Sequence, residues 1–333
     1  MKTRVQLLIA PESKAAQRGF TLVELLVSLA ITMVIVTGAA YVYLGTSQTQ
    51  RALFERAFAT ETAHYAMDVL GRDIENAGFY PSIRAAGSAA VSTVTIETYA
   101  NPVTSGTIPA AYNAPIFGCT AQTYKPAPDT NPVGCAAHTA TADADTLVLN
   151  SYSNDSYGLN IGNRADCLRQ DSANDQINTA RKNTTVALTP LRPLFVSNRY
   201  TLQPTTMKVE GNVINTFSLA CNGNGVSSAV NAYYPMVAGV DQLRFYYLVR
   251  ASDTAASKFQ RADAVTATDW PNVVSVRVCL LARSLQSAKL QGSTSYTIKD
   301  CDGVDKSFTD GVERRIFTQV FAMKNHIQLL NVP

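Results

Sequence analysis

From Phe20 to Leu44 the chain is apolar except for scattered hydroxyls and one charged residue, Glu24. As helix, Leu25 to Leu44 would extend roughly 30 Å, about the hydrocarbon thickness of a bilayer. The pattern predicts a membrane-spanning half-helix over 20–45. A carboxylate at that depth costs several kcal/mol unless it is paired or neutralised, so Glu24 is a candidate functional group. Beyond Leu44 the pattern becomes amphipathic. Ser47–Asn76 holds no proline, and Phe54, Phe58, Tyr65 and Val69 share one face with Ala66, Leu70 and Ile74. Arg51, Glu55, Arg56, Glu61, Asp68, Arg72, Asp73 and Glu75 fall on the other side. The expectation is a second half-helix over 46–78, packed on a globular domain by its aromatic stripe and holding that domain rigidly to the anchor. Asn76-Ala77-Gly78 supplies the stop, and Pro81 prevents resumption.

From residue 79 to 333 the period turns to two. Strands are predicted at Val94–Tyr99, Thr146–Asn150, Thr184–Leu188, Arg199–Leu202 and Met207–Leu219, the last folded back at Glu210-Gly211-Asn212. Gly223-Asn224-Gly225 marks a further turn. The clearest strands lie in the C-terminal third. Asp241–Val249 places Leu243, Phe245 and Tyr247 on one face. Val273–Ala282 turns Val274, Val276, Val278 and Leu280 inward, and Arg315–Met323 does so with Ile316, Thr318, Val320 and Ala322. Arg244, Arg277 and Arg315 should then point to solvent, and Trp270 should anchor the core. Strands without intervening helical patterns argue for antiparallel pairing. The fold class is α+β: a long N-terminal helix on an antiparallel β-sheet domain. Ser151–Asn183 and the proline-rich stretch 85–145 read as long loops, part of a loop-rich insertion over about 100–230.

Charge sharpens the N-terminus. The chain's formal charge is +3, and residues 1–19 hold Lys2, Arg4, Lys14 and Arg18 against Glu12, so the remainder is near neutral. The basic leader favours a cytoplasmic location. The absence of a basic patch after residue 20 argues against nucleic-acid binding. A secretory signal peptide is cut after its apolar region, whereas here Gly19 precedes it.

Cys119, Cys135, Cys167, Cys221, Cys279 and Cys301 all follow the apolar run, without CxxC spacing or a histidine at metal-ligand distance. An even number in an exported domain points to disulfides. Six cysteines allow about fifteen connectivities, and the sequence does not choose among them. Sequential pairing (119–135, 167–221, 279–301) closes the shortest loops and is preferred.

Arg18-Gly19-Phe20-Thr21-Leu22-Val23-Glu24-Leu25, opening a long apolar helix, resembles the N-terminus of type IV prepilins. The resemblance implies that a prepilin peptidase cuts between Gly19 and Phe20, that Phe20 is N-methylated, and that Glu24 with Phe20 forms the subunit-docking pair. Four further stretches resemble the minor pilin PilW branch: Gly71–Tyr80, Val237–Phe245, Asp269–Val278 with Leu281–Ser284, and Arg314–Asn325. That branch implies an inner-membrane prepilin with a periplasmic domain, joining other minor pilins to start pilus assembly and ending near the tip. Implied partners are the peptidase, other minor pilins, the major pilin and a tip adhesin; no cofactor is implied. Because Glu24 is present, a position near the tip but not outermost is expected. The alternatives are a type II secretion minor pseudopilin, whose chains are shorter, and a pilin-anchored adhesive module.

Enzymatic constellations are not found. His64, His138 and His326 are scattered, and there is no GxSxG, phosphate loop, HExxH or GxGxxG. Asp300-Cys301-Asp302-Gly303-Val304-Asp305 has the composition of a calcium loop but not the EF-hand order, and reads as a surface turn.

Overall fold

The computed structural model describes residues 20–79, 114–125, 134–137, 141, 143–152, 166–170, 195–209, 211–223, 232–250, 257–287 and 295–325. The leader through Gly19, Pro81, the strand candidates Val94–Tyr99 and Thr184–Leu188, His138, His326, Asn224-Gly225 and most of Ser151–Asn183 lie outside them. The chain divides into two units, one through Arg51 and one from Ala52.

Helix α1 runs from Leu22 to Asn76. In the first unit its residues are exposed almost throughout, and it is the helix, among those described, long and apolar enough to cross a membrane. Its hydroxyls are satisfied within the helix: Ser28 donates to the Leu25 carbonyl, Thr32 to Ser28, Thr37 to Met33, and Thr46 to Val42. No hydroxyl among these carries an unmade bond into an apolar solvent.

In the second unit the buried face of α1 is Ala52, Glu55, Ala59, Thr62, Ala63, Ala66, Met67, Leu70, Gly71 and Ile74. This corrects the expected stripe. Phe54 and Tyr65 are 70% and 55% exposed, while Glu55 is buried. Small residues let the helix approach the sheet closely, so alanines and Gly71 face the core and the bulky aromatics are turned away. At Gly71 an added Cβ would overlap the Phe321 ring.

Thirteen strands follow among the described residues: β1 (Ile116–Cys119), β2 (Gln122–Lys125), β3 (Gly134–Ala137), β4 (Thr146–Tyr152), β5 (Phe195–Val209), β6 (Asn212–Asn222), β7 (Tyr234–Ala238), β8 (Val240–Val249), β9 (Phe259–Gln260), β10 (Val273–Ser287), β11 (Tyr296–Lys299), β12 (Asp305–Phe308) and β13 (Val312–Ala322). They form a five-stranded sheet, β1-β4-β5-β6-β7, a four-stranded sheet, β13-β10-β8-β9, and two hairpins, β11–β12 and β2–β3. Pairing between these strands is antiparallel. The chain passes from the first sheet to the second at Gly239, whose φ is +89°. Its N–H donates to Phe217 of β6, and its carbonyl accepts from Arg283 of β10. A Cβ there would meet the Arg283 carbonyl at 3.1 Å, so glycine is required on two counts.

The β5–β6 hairpin turns where expected, with Val209 opposite Asn212 and Gly211 at φ +83°. The separate strands expected at Arg199–Leu202 and from Met207 are one strand, β5. Pro204 is tolerated because β4 pairs with β5 only as far as Tyr200.

Two phases differ from expectation. In β10 a register shift between Val273 and Ser275 puts Val273 in the core and leaves Val274 half-buried; Val276, Val278 and Leu280 point inward. In β13 the face is inverted. Phe317 and Phe321 lie opposite the inward Leu280 and Val276, so Ile316, Thr318 and Val320 are exposed. One residue of register reverses every side chain of a strand. Trp270, 2% exposed, lies 4.9 Å centroid to centroid from both Phe117 of β1 and Tyr247 of β8, joining the two sheets.

Candidate assembly site

Thr21 precedes the first helical residue, and its side chain and that of Glu24 bond reciprocally. The Glu24 N–H donates to Thr21 Oγ1 at 3.3 Å, and the Thr21 N–H donates to Glu24 Oε2 at 3.0 Å. The Thr21 hydroxyl also donates to Glu24 Oε2, at 3.1 Å. This is a capping box, in which two orphan helix-terminal donors are satisfied by a Thr-x-x-Glu pair. The Glu24 carboxylate has a partner inside its own chain, three residues back, besides the Phe20 docking partner that the prepilin resemblance implies. The Thr-x-x-Glu spacing was the available signal. Phe20 beside it is 83% exposed. Gly19 lies outside the described residues.

The disulfides join Cys119–Cys135, Cys167–Cys221 and Cys279–Cys301, with Cα separations of 5.6, 6.5 and 5.8 Å. The first ties β1 to β3. The second holds the Asp166–Gln170 turn to the end of β6. The third fixes the β11–β12 turn against β10.

That third staple presents the acidic turn to a buried cation. Asp300 Oδ1 accepts the backbone N–H groups of Asp302 and Val304, and the Asp302 carboxylate meets Arg244 Nε at 2.9 Å and Arg261 Nη1 at 2.6 Å. Arg261 Nη2 reaches Asp145 at 2.6 Å, and Arg244 reaches Asp145 and Asp143 at 3.5 Å. Lys306 adds a 2.8 Å contact to Asp143. Arg244 is buried, which corrects its expected solvent position. The three aspartates it meets make a charged interior position tenable. Burial pushes the Asp145 carboxyl upward, opposed by Arg261, by the N–H groups of Ala121 and Phe245, and by Arg244. Arg277 stacks over Tyr246 at 4.3 Å, and Arg315 is exposed as expected. Among the described residues no group of three or more histidine, cysteine or acidic side chains could hold a metal ion.

Two helix carboxylates missed by the sequence reading dock α1. Glu55 accepts the backbone N–H groups of Leu285 and Gln286, both at 3.1 Å. Asp73 Oδ2 accepts Tyr200 Oη at 2.5 Å and Asn198 Nδ2 at 2.6 Å. Burial raises the Asp73 carboxyl above the ordinary range against those two bonds, and nearby Asp166 adds to the rise.

Residues 201–325 match the family described as type IV pilus-assembly protein W. Residues 14–40 match the prokaryotic N-terminal methylation motif. The first match takes in most of β5 and every later strand; the second takes in the capping box and the start of α1. No curated protein and no solved structure matches the chain.

Proposed function

We propose that the chain is a minor pilin of the pilus-assembly protein W kind, a reading its two family matches support, that it primes pilus assembly within an inner-membrane complex of minor pilins, and that it is carried to a place near the pilus tip. On this reading the role is structural rather than catalytic; the apolar helix and the methylation motif support a single-pass inner-membrane anchor with the domain C-terminal to it, and the motif implies processing by a prepilin peptidase and association with other pilins.

The observation that carries the reading is the pairing, on one chain, of the methylation motif at 14–40 with the pilus-assembly match at 201–325. Cleavage between Gly19 and Phe20 would free an amine of ordinary pKa about 8, which is then methylated. In the complex that amine, or a neighbour's, takes up Glu24, relieving two charges in an apolar setting and setting the axial register of packed helices. The domain boundaries that follow are a removed leader (1–19), a filament-core half-helix (20–45), a soluble half-helix (46–78) and a periplasmic domain (79–333). The major pilin and a tip adhesin are the further partners.

Glutamine can serve in a capping box as glutamate does. Glu24→Gln therefore keeps the helix cap and removes only the charge, whereas Glu24→Ala removes both. Loss of surface pili and twitching in both variants, at unchanged protein level, supports charge-based docking. Normal piliation in Glu24→Ala overturns it. Loss of exoprotein secretion with pili intact on gene deletion would assign the chain to type II secretion, and intact pili with lost attachment would make it an adhesive module.

A further inference from the structure

Among the described residues most sheet edges are short or interrupted, and β13 is the longest unbroken one. β1 has four residues and is tied by a disulfide; β7 has five, with Pro235 among them. β9 has two residues, and the hairpin strands have four each. β13 runs for eleven and pairs with β10 without a register shift from Arg314 to Ala322. It contains no proline and no lysine, the residues proteins place on edges to prevent pairing with another chain. Arg315, Ile316, Thr318, Gln319, Val320 and Ala322 are exposed. No described strand pairs with its outer edge.

We propose that the outer edge of β13 is a strand-addition site for an extended segment of a different pilin subunit. The inference rests on the pilin reading above. β13 lies along the soluble part of α1: Arg56 meets Glu313 at 2.6 Å, the His64 and Phe317 rings are 5.8 Å apart, and Lys324 meets Glu75 at 2.5 Å. The edge thus borders the soluble part of α1. Main-chain bonds along the edge supply affinity, and alternate side chains supply the choice of partner. Ile316 and Val320, 38% and 51% exposed on one face, fit apolar residues four positions apart on the incoming strand. The cations nearby outnumber the carboxylates they pair with and are more exposed: the side chains of Arg315, Arg56 and Lys324 are 51%, 43% and 68% exposed, against 20% for Glu313 and 36% for Glu75. The incoming strand therefore carries a carboxylate opposite Arg315. A second copy fits less well, because antiparallel self-pairing brings the Arg315 end of one strand to the Lys324 end of the other, like charge against like.

The test uses the full-length protein in its native membrane, with a benzophenone side chain introduced at Thr318 or, as control, at Val213, an exposed position on β6. The expected result is a crosslink from position 318, and not from 213, to another subunit bearing a methylation motif, identified by mass spectrometry. Val320→Lys should weaken that crosslink roughly tenfold, equivalent to about 1.4 kcal/mol, at unchanged protein abundance. A crosslink to a second copy of this chain, equal crosslinking from both positions, no crosslink, or an undiminished one in Val320→Lys overturns the proposal. Gene deletion reads the underlying assignment separately. Piliation lost on deletion but fully restored by the Ile316→Lys/Val320→Lys variant overturns the edge site alone. Piliation unchanged on deletion overturns the pilin reading beneath it.

Discussion

Replacing Gly71 by alanine sets two effects against each other. Gly71 lies within α1, and an alanine at a helix interior is worth about 0.8–1.0 kcal/mol over glycine by propensity alone. A Cβ at this position, however, would stand within 3.0 Å of three atoms of the Phe321 ring, closer than carbon atoms approach without displacement. Forcing one extra methyl into a packed core costs about 1–3 kcal/mol. Here the obstacle is a ring that is itself 7% exposed and cannot swing into solvent. The upper part of that range applies, and the net loss is about 1–2 kcal/mol. For a domain of this size that lowers Tm by roughly 2–8 °C. The assay is thermal unfolding of the full-length protein in detergent, with disulfides intact, for Gly71→Ala alone and with Phe321→Leu. The second change removes the ring, so in its background Gly71→Ala should become neutral or stabilising. A rise in Tm for Gly71→Ala in the otherwise unaltered chain would show that the helix and β13 are not in close contact there, and the account of the buried helix face would fail.

Arg244→Met takes one of two arginines from Asp145 and Asp302 and leaves them the Arg261 ion pair, and by the usual cost of breaking a buried pair it should destabilise by about 3 kcal/mol; a loss below about 1 kcal/mol in denaturant unfolding would count against the cluster's role. Reducing Cys279–Cys301, which closes 22 residues, should cost about 3 kcal/mol and loosen the Asp300–Val304 turn, measured by amide exchange at Val304. Because the Asp73 carboxyl is raised on folding, it binds its proton more tightly in the folded chain. Its contribution to stability is therefore fully present below the ordinary carboxylate range and is lost as pH rises through the raised value. Asp73→Asn, which keeps an oxygen for Tyr200 and Asn198, should flatten that part of the Tm–pH curve, and an unchanged slope would refute the assignment.

The parts of this fold legible in sequence are those fixed by local chemistry. The apolar run, the glycine-marked β5–β6 turn, and the alternation of Leu243, Phe245 and Tyr247 need no knowledge of partners, and each stands where its pattern puts it. What was not legible depends on which surface an element meets. Ile316 and Val320 are better strand-core residues than Gln319, yet pairing with β10 selects the Phe317/Phe321 face because those rings fill the space beside α1. Phe54 and Tyr65 outrank Ala59 and Ala63 in apolar area, but only the alanines allow the helix to settle on the sheet. Arg244 reads as a solvated charge until distant aspartates at 143, 145 and 302 are folded around it. The same reasoning bears on the N-terminus. The Thr21–Glu24 capping box was legible from spacing, and it changes what docking must accomplish: a neighbour's amine has to compete with two N-terminal donors that the carboxylate already serves. The exposed β13 residues and the capped Glu24 then make opposite demands on an assembly partner. The strand edge offers backbone groups that no described strand pairs with, whereas Glu24 releases its bonds only to a group that carries positive charge.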